Sequence, residues 1–433
     1  MLKTFFVIAA SCMAWPSHAT TLESWLVQTD LWGNTTYQAL ELAREGQALT
    51  GTLDGNALVG VRSGSAVRFA VTDADAARQA FSGTVRGESI QGLVDMPDSN
   101  HPSRRIVHTF TARKIPARPA GPPRRVEFKP TDYSNEFSPH RKPVLTLWPG
   151  DTVHTSTIDS GGVDEQGVTR ALFGNPQTGP FYVASAAPGD TLVIRINRLR
   201  LNRDYADSLD SIVSRALTPR LASDATRLGK AVRWILDREQ GTARLENPGA
   251  ALKSLVVPVR PMLGGLGVAP GFGSAPLSTG DTGSFGGNMD FNDIVEGNTV
   301  YLPVYQPGAL LYLGDAHALQ GDGETSQYAL ETSMDVELTV DVLHGKSITM
   351  PRVESPTQLM VLGQAGSLDD ATRAATTGMA RWLESDYGLS LSEVAQLLGS
   401  SAQYSVANLA GRSVGVVVKM NKSILNQVSV AAH

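Results

Sequence analysis

Cysteine is almost absent from this 433-residue sequence, whose one cysteine is Cys12 in the N-terminal segment. If that segment is removed, the remaining chain has neither a disulfide nor a thiolate nucleophile. Long hydrophobic runs are also missing, because no segment reaches the roughly 18 uninterrupted apolar residues that identify a membrane-spanning helix. These absences exclude a disulfide-stabilised scaffold and cysteine catalysis, and they predict a chain without a membrane span.

The sequence has no basic surplus either. Its 37 Lys and Arg residues are outnumbered by 42 Asp and Glu residues, which gives a formal net charge of −5. A nucleic-acid-binding surface needs clustered positive charge, so we expect no nucleic-acid partner. The chain also contains no His-Glu-x-x-His zinc helix and no Walker phosphate loop, which excludes two common classes of hydrolase.

What the chain does contain is glycine (42 residues) and short alternating segments, whereas helical periodicity is scarce. This pattern predicts a mainly β protein. Residues 20–114 are expected to form a small antiparallel β domain, because segments such as Val67–Val71 and Phe81–Val85 alternate as strands do. A proline-rich linker is predicted at 115–128, followed by a second domain at 129–433.

The first 19 residues have the pattern of a signal peptide. Lys3 precedes the short apolar run Phe5–Ala14, and Ser17–Ala19 offers small residues for cleavage. We therefore expect export to the periplasm or the medium. A second interpretation, lipid attachment at Cys12, requires a very short apolar run before the cysteine.

Within the second domain, most segments alternate as strands, but two regions show helical spacing. Apolar residues at about 204–237 predict a helical insertion, and Leu368–Tyr387 predicts a long helix. Ser390 and Glu393 have the spacing of a capping box, so a further helix should begin there.

The densest polar stretch follows an apolar strand, in the run GDAHALQGDGE from Gly314 to Glu324. Asp315 and His317 are two residues apart, so both side chains should point to one face of an extended chain. A carboxylate and an imidazole on one face form part of a divalent-metal site. The glycines of the run allow it to turn, which brings Asp322 and Glu324 back toward the same place, and Glu331 lies on the following strand.

Two other segments add candidates. Ser284–Asp290 is glycine-rich and contains Asn288, which can donate and accept hydrogen bonds, and Asp290, which can bind a metal or act as a base. Asp159 lies at the end of a predicted strand that begins near Asp151.

At these motifs the sequence resembles the acetamidase/formamidase family. The matching segments follow the family order: 149–153 leading to Asp159, 179–183 leading to 188–190, 267–270, 286–290, 302–304 and the run 314–324. The resemblance covers about 130–420, so the domain at 20–114 lies outside it. It implies a β-sandwich-like core with a few helices, hydrolysis of short amides such as formamide or acetamide, a bound divalent metal and a homo-oligomer.

The resemblance also suggests roles for the residues. We expect Asp315 and His317 to bind the metal, helped by Asp290 or Asp159, with zinc preferred and calcium or magnesium left open. Glu324 or Glu331, with Asp322 nearby, would move protons, and Asn288 would orient the amide. Two alternatives remain: the same scaffold acting on a larger amide outside the cytoplasm, and a non-catalytic protein that binds a small molecule.

Overall fold

The computed structural model describes residues 22–73, 76–271 and 275–428. The predicted signal peptide and Cys12 lie outside these residues. The chain divides into two compact units, the first ending at Ala117 and the second beginning at Arg118. Within the described residues, no helix is long and apolar enough to cross a membrane.

The first unit is a closed barrel of eight antiparallel strands, in which each strand pairs with the next and the last pairs with the first. The strands are β1 (Glu23–Leu31), β2 (Asn34–Glu45), β3 (Ala48–Leu53), β4 (Asn56–Ser63), β5 (Ala66–Thr72), β6 (Arg78–Arg86), β7 (Ser89–Pro97) and β8 (Arg105–Ile115).

Alternation along each strand fills the barrel with apolar side chains. In β5, for example, Val67, Phe69 and Val71 are buried while the residues between them are more exposed. Phe81 stacks on Phe69 with ring centroids 4.7 Å apart and meets the edge of Phe110 at 5.1 Å. Because successive strand residues face opposite sides, one side of the closed sheet becomes a continuous core.

The second unit is also mainly β. Its strands, in chain order, are β9 (Arg125–Glu127), β10 (Glu136–Phe137), β11 (Leu145–Leu147), β12 (Thr152–Ser156), β13 (Gln177–Val183), β14 (Thr191–Leu201), β15 (Tyr205–Leu209), β16 (Ala231–Asp237), β17 (Thr242–Leu245), β18 (Val257–Pro258), β19 (Met262–Val268), β20 (Leu277–Ser278), β21 (Thr282–Gly283), β22 (Gly286–Asn288), β23 (Thr299–Pro303), β24 (Leu311–His317), β25 (Glu331–Thr332), β26 (Met334–Leu343), β27 (Arg352–Glu354), β28 (Gln358–Ala365), β29 (Gln403–Asn408) and β30 (Val414–Asn421).

These strands form two large sheets and one small pair. A nine-stranded sheet has the order β29-β30-β28-β27-β23-β14-β26-β12-β9. An eleven-stranded sheet has the order β18-β17-β16-β15-β25-β24-β19-β22-β21; in addition, β13 pairs with β24, and β11 pairs with β13. The pair is β10 with β20. The large sheets contact each other through β19 with β23 and β21 with β28. The predicted mainly β fold with a few helices is confirmed.

Four α-helices occur among the described residues: α1 (Pro219–Asp224), α2 (Leu368–Tyr387), α3 (Leu391–Ser401) and α4 (Lys422–Leu425). Helix α2 packs on β28 and β30, where it buries Met379 and Leu383. The side chain of Ser390 accepts a hydrogen bond from the backbone N–H of Glu393, and the Glu393 carboxylate accepts from the Ser390 backbone N–H. The predicted long helix and capping box are therefore confirmed.

The predicted helical insertion at 204–237 is wrong. Strands β15 and β16 pair antiparallel across this region, and the six-residue helix α1 lies in the connection between them. Val232, Trp234 and Leu236 are spaced by two, and each is more buried than the residues Arg233 and Asp237 that alternate with them. Pairing with a neighbouring strand has outweighed an apolar spacing that also fits a helix.

Candidate active site

Strand β24 is central to the eleven-stranded sheet, between β13 and β19, and it carries the polar run predicted from the sequence. All seven of its residues are buried. Asp315 has a positive φ of 52°, which is uncommon outside glycine, and the pairing with β19 continues beyond it at Ala316 and His317. The side chains of Asp315 and His317 are both buried.

Gly264 of β19 creates the space for these side chains. A Cβ atom at Gly264 would lie 2.6 Å from Asp290 Oδ1 and 2.9 Å from Asp315 Oδ2. Any other residue would therefore fill the place where the two carboxylates approach each other.

Four carboxylates and one imidazole meet at this place. Asp290, His317 and Glu324 have ligand-capable atoms within 4.8 Å of one another, and so do Asp315, His317 and Glu331. The Nε2 atom of His317 lies 3.3 Å from Glu331 Oε2 and 3.6 Å from Asp315 Oδ1. All five residues are at most 6% exposed. The structure thus brings together five of the side chains predicted from the sequence.

Amide side chains hold the cluster in position. Gln320 accepts a hydrogen bond at its Oε1 from His317 Nδ1 (2.9 Å) and donates to the backbone carbonyl of Asp290 (2.5 Å). With Nδ1 engaged as the donor, Nε2 is the ring nitrogen that faces the carboxylates. Asn288, the sixth predicted residue at the site, donates to Asp290 Oδ2 at 2.5 Å.

Burial changes the protonation of the cluster. Burial, followed by the charge of Asp315, raises the pKa of Asp290 to about 8. Burial also raises the pKa of Glu324 well above its ordinary value and raises the pKa of Glu331. For His317, burial lowers the pKa, but the neighbouring carboxylates, Glu331 above all, outweigh it and raise the pKa well above 6.5. The cluster therefore keeps protons at a pH at which the same groups in solvent would release them.

Four atoms in this cluster are buried and have no hydrogen-bond partner among the described residues: Asp290 Oδ1, Asp315 Oδ1, His317 Nε2 and Glu331 Oε2. Leaving one buried polar atom unpaired costs roughly 1–3 kcal/mol, so four in one place call for a shared partner. Three carboxylate oxygens and an imidazole nitrogen are the donor types of a divalent-metal site. The residues present therefore fit a metal ion.

The other predicted acids lie outside the cluster. Asp159 is buried, but its carboxylate pairs with the buried Arg203 at 2.7 Å and accepts the Val163 backbone N–H. Arg203 in turn donates to the backbone carbonyl of Glu331, so Asp159 is connected to the cluster only through that arginine. Asp322 is exposed and accepts a hydrogen bond from Asn292 at 2.8 Å, because the turn that returns Glu324 leaves Asp322 on the outside.

Three site residues were missed in the sequence. Asn175, with φ 58°, donates both to Asn288 Oδ1 and to Asp315 Oδ2. Asn408 donates to Asp290 Oδ2 at 2.6 Å from the far end of the chain. Tyr328 lines the cavity beside the cluster. Isolated asparagines carry no spacing signal, and only the fold brings them together; the Gly-Asn pair at 174–175 was the one local hint of a positive φ.

A cavity of about 310 Å³ opens onto the cluster. Asn288, Asp290, Asp315, Glu324 and Glu331 line its floor, and its walls contain Phe173, Tyr328 and Arg412 among others. The site combines a metal-binding donor set, carboxylates with raised pKa and amide donors, all reached through one opening. This combination is typical of metal-assisted hydrolysis of a small polar molecule.

The sequence is similar to known amidases over short stretches. Residues 275–365 match the model of the Acetamidase/Formamidase family. An acetamidase of Mycolicibacterium smegmatis is 38% identical over 61 residues, and a protein of Schizosaccharomyces pombe that carries the name formamidase is 54% identical over 41 residues. These matches span 15% and 10% of the lengths of those proteins.

The similarity to solved structures extends over most of this chain and over nearly the whole of theirs. The crystal structure of an acetamidase from Bacillus halodurans superposes with a TM-score of 0.60 and 26% identity, over 70% of this chain and 100% of that one. An acetamidase from Yersinia enterocolitica superposes with a TM-score of 0.62 and 26% identity, over 71% of this chain and 95% of that one.

Proposed function

The chain belongs to the acetamidase/formamidase family, and from that premise we propose that it hydrolyses the carbon–nitrogen bond of an amide with the help of a divalent metal. The observation that carries the proposal is the set of four buried atoms, on Asp290, Asp315, His317 and Glu331, that have no hydrogen-bond partner among the described residues. Asp290, Asp315 and Glu331 also line one cavity.

The comparison with other buried acids supports a cation at this place. Elsewhere in the second unit, the buried Asp151 and Asp164 each pair with an arginine, at 2.5 and 2.6 Å. In the cluster, Asp315 and Glu331 pair with His317, and among the described residues no arginine or lysine forms an ion pair with any of the four carboxylates. Because unpaired buried charge is costly, a bound cation is the natural complement of the cluster.

Asp290, Asp315, His317 and Glu331 would hold the metal, since their free atoms face one another. A histidine nitrogen among oxygens favours zinc over calcium and magnesium, which prefer oxygen ligands alone. When bound, such an ion polarises a carbonyl and lowers the pKa of water.

Glu324 is the best candidate for the proton-transfer group. It lines the cavity next to Asp290 and His317, and its oxygens are not among the unpartnered buried atoms. Burial raises its pKa well above the ordinary value, so its ionised form is a stronger base than a solvated glutamate. Glu324 takes a proton from the attacking water and delivers it to the nitrogen that leaves as ammonia. Asn288, which also lines the cavity, would orient the amide.

The first experiment is to measure ammonia release from formamide and acetamide by the purified chain. Each assay is run after chelation and again after zinc, calcium or magnesium is restored. We expect turnover to disappear on chelation and to return with zinc. Glu324→Gln should keep the metal and lose activity by about 10²–10⁴-fold, the usual contribution of a general base. A metal-loaded chain that binds amides without releasing ammonia would overturn the proposal in favour of a binding role.

A further inference from the structure

Phe173 and Tyr328 form an aromatic wall at the mouth of the active-site cavity. Their ring centroids are 6.1 Å apart with a tilt of 55° between the rings, and both residues line the cavity. Phe173 is 63% exposed. A large exposed apolar side chain at the entrance of a site that is otherwise polar calls for a ligand group that covers it.

The loop that carries Phe173 is fixed in place by hydrogen bonds. The side-chain amide of Asn135 donates to the carbonyls of Leu172, Phe173 and Gly174 at 3.2, 3.4 and 3.2 Å. Thr279 Oγ1 donates to the Gly174 carbonyl at 2.8 Å. The Phe173 ring is therefore held at the mouth by its backbone, although its own ring packs little.

The same loop is tied to the catalytic cluster. Asn175, two residues after Phe173, donates to Asp315 Oδ2 at 3.0 Å and to Asn288 Oδ1 at 2.7 Å. Because Phe173 and Asn175 lie two residues apart on this hydrogen-bonded loop, the distance between the aromatic wall and the carboxylate cluster is fixed by the backbone. A substrate whose amide reaches the cluster must place its other end beside Phe173.

The size of the cavity agrees with this placement. A volume of about 310 Å³ is close to the lower limit, roughly 300 Å³, of pockets that hold drug-sized ligands. Acetamide, with one methyl group, leaves the wall uncovered. Arg412, which also lines the cavity, is paired with Asp281 at 3.0 Å, so its charge is already compensated. The cavity therefore favours a neutral apolar group over a charged one.

We propose that the preferred substrate is a primary amide with an aromatic or bulky apolar acyl group, which packs against Phe173 and Tyr328. This inference rests on the proposed amide hydrolysis and adds to it the class of acyl group. It assigns Phe173 to specificity rather than to catalysis.

The test compares acetamide with phenylacetamide on the metal-loaded full chain. We expect kcat/KM to be higher for phenylacetamide in the unmodified protein. Phe173→Ala should lower kcat/KM for phenylacetamide about three- to tenfold, mainly through KM, because an aromatic pair contributes on the order of that factor. Acetamide hydrolysis should fall by a smaller factor, because its single methyl group does not cover the ring. Leu172→Ala is the matched control, since Leu172 is the neighbouring exposed residue, at 80% exposure, and is not part of the cavity wall.

The two proposals fail in different ways. If acetamide is hydrolysed in a chelator-sensitive manner but phenylacetamide is no better, or if Phe173→Ala and Leu172→Ala behave alike, the aromatic subsite is overturned and the amidase proposal stands. If the metal-loaded chain hydrolyses neither amide, both are overturned.

Discussion

The barrel and the second unit differ in what they bury. The barrel interior consists of apolar side chains such as Phe69 and Phe110, and within the described part of the barrel no aspartate or glutamate is buried. The second unit buries a cluster of carboxylates around His317. An apolar core stabilises the folded chain without further partners, whereas a buried polar cluster needs protons or a cation. The buried residues of the barrel therefore serve stability, whereas the buried cluster of the second unit is the candidate for function.

The strongest way to break this comparison is to remove the imidazole that the whole cluster shares. His317→Ala takes away the unpartnered Nε2 atom and leaves the facing carboxylates without a positive neighbour. We expect loss of bound metal and a fall in amide hydrolysis of more than about 100-fold, beyond the usual effect of losing an outer-shell partner. Metal analysis and ammonia release measure both.

His154→Ala is the control for that experiment, because His154 is partly exposed and pairs with Glu127 at 2.5 Å at the surface. It should keep both metal and activity. A fully active His317→Ala variant would show that His317 is not needed for metal binding or catalysis.

A second change tests the space rather than the ligands. Gly264→Ala puts a methyl group 2.6 Å from Asp290 Oδ1, closer than real contacts allow, so the carboxylates must separate. We expect metal affinity and kcat to fall by about 10- to 100-fold, as for loss of a supporting contact. Gly321→Ala, in the same polar run but with nothing within 4 Å of the added atom, should behave like the unmodified protein. Equal effects of the two substitutions would show that the cluster tolerates the methyl group.

The two regions also differ in how far the sequence predicts them. Alternation with period two is a local signal, so the strands around Val67–Val71 and Phe81–Val85 could be recognised directly. The polar run at β24 could be recognised because Asp315 and His317 break an apolar strand. Asn175 and Asn408 could not be recognised, because they reach Asp315 and Asp290 only through contacts distant in sequence. Asp159 is an aspartate, as two of the expected metal ligands are, so the sequence alone does not separate it from them. The structure does, because the buried Arg203 compensates its charge.

A third change sharpens the comparison from the side of the barrel. Phe81→Ala removes a ring that is 2% exposed and packed between Phe69 and Phe110. We expect the free energy of unfolding of the barrel to fall by about 3–5 kcal/mol, the usual cost of such a cavity. Denaturant unfolding followed by circular dichroism measures it, and Val59→Ala, at 71% exposure, is the control. Metal content should be unchanged. A loss of metal in the Phe81 variant would show that the barrel core also supports the metal site.

The dependence of stability on pH distinguishes the two interiors in one experiment. Burial, then the charge of Asp315, raises the pKa of Asp290 from 3.8 to about 8. The carboxylates around His317 raise its pKa despite the opposing effect of burial. A raised pKa means that the folded chain holds a proton that the unfolded chain releases. The metal-free protein should therefore lose stability as the pH rises from about 4 toward 8.

A bound cation replaces those protons, so metal uptake should release protons in this range and should flatten the dependence of stability on pH. The described residues of the barrel contain no such cluster, and the cost of Phe81→Ala should be the same across the range. Unfolding of the chelated and metal-loaded protein at about pH 5 and pH 8 tests both statements. If the chelated protein became more stable on going to pH 8, the folded protein would favour the ionised form of the buried acids even without metal. The cluster would then not need a cation.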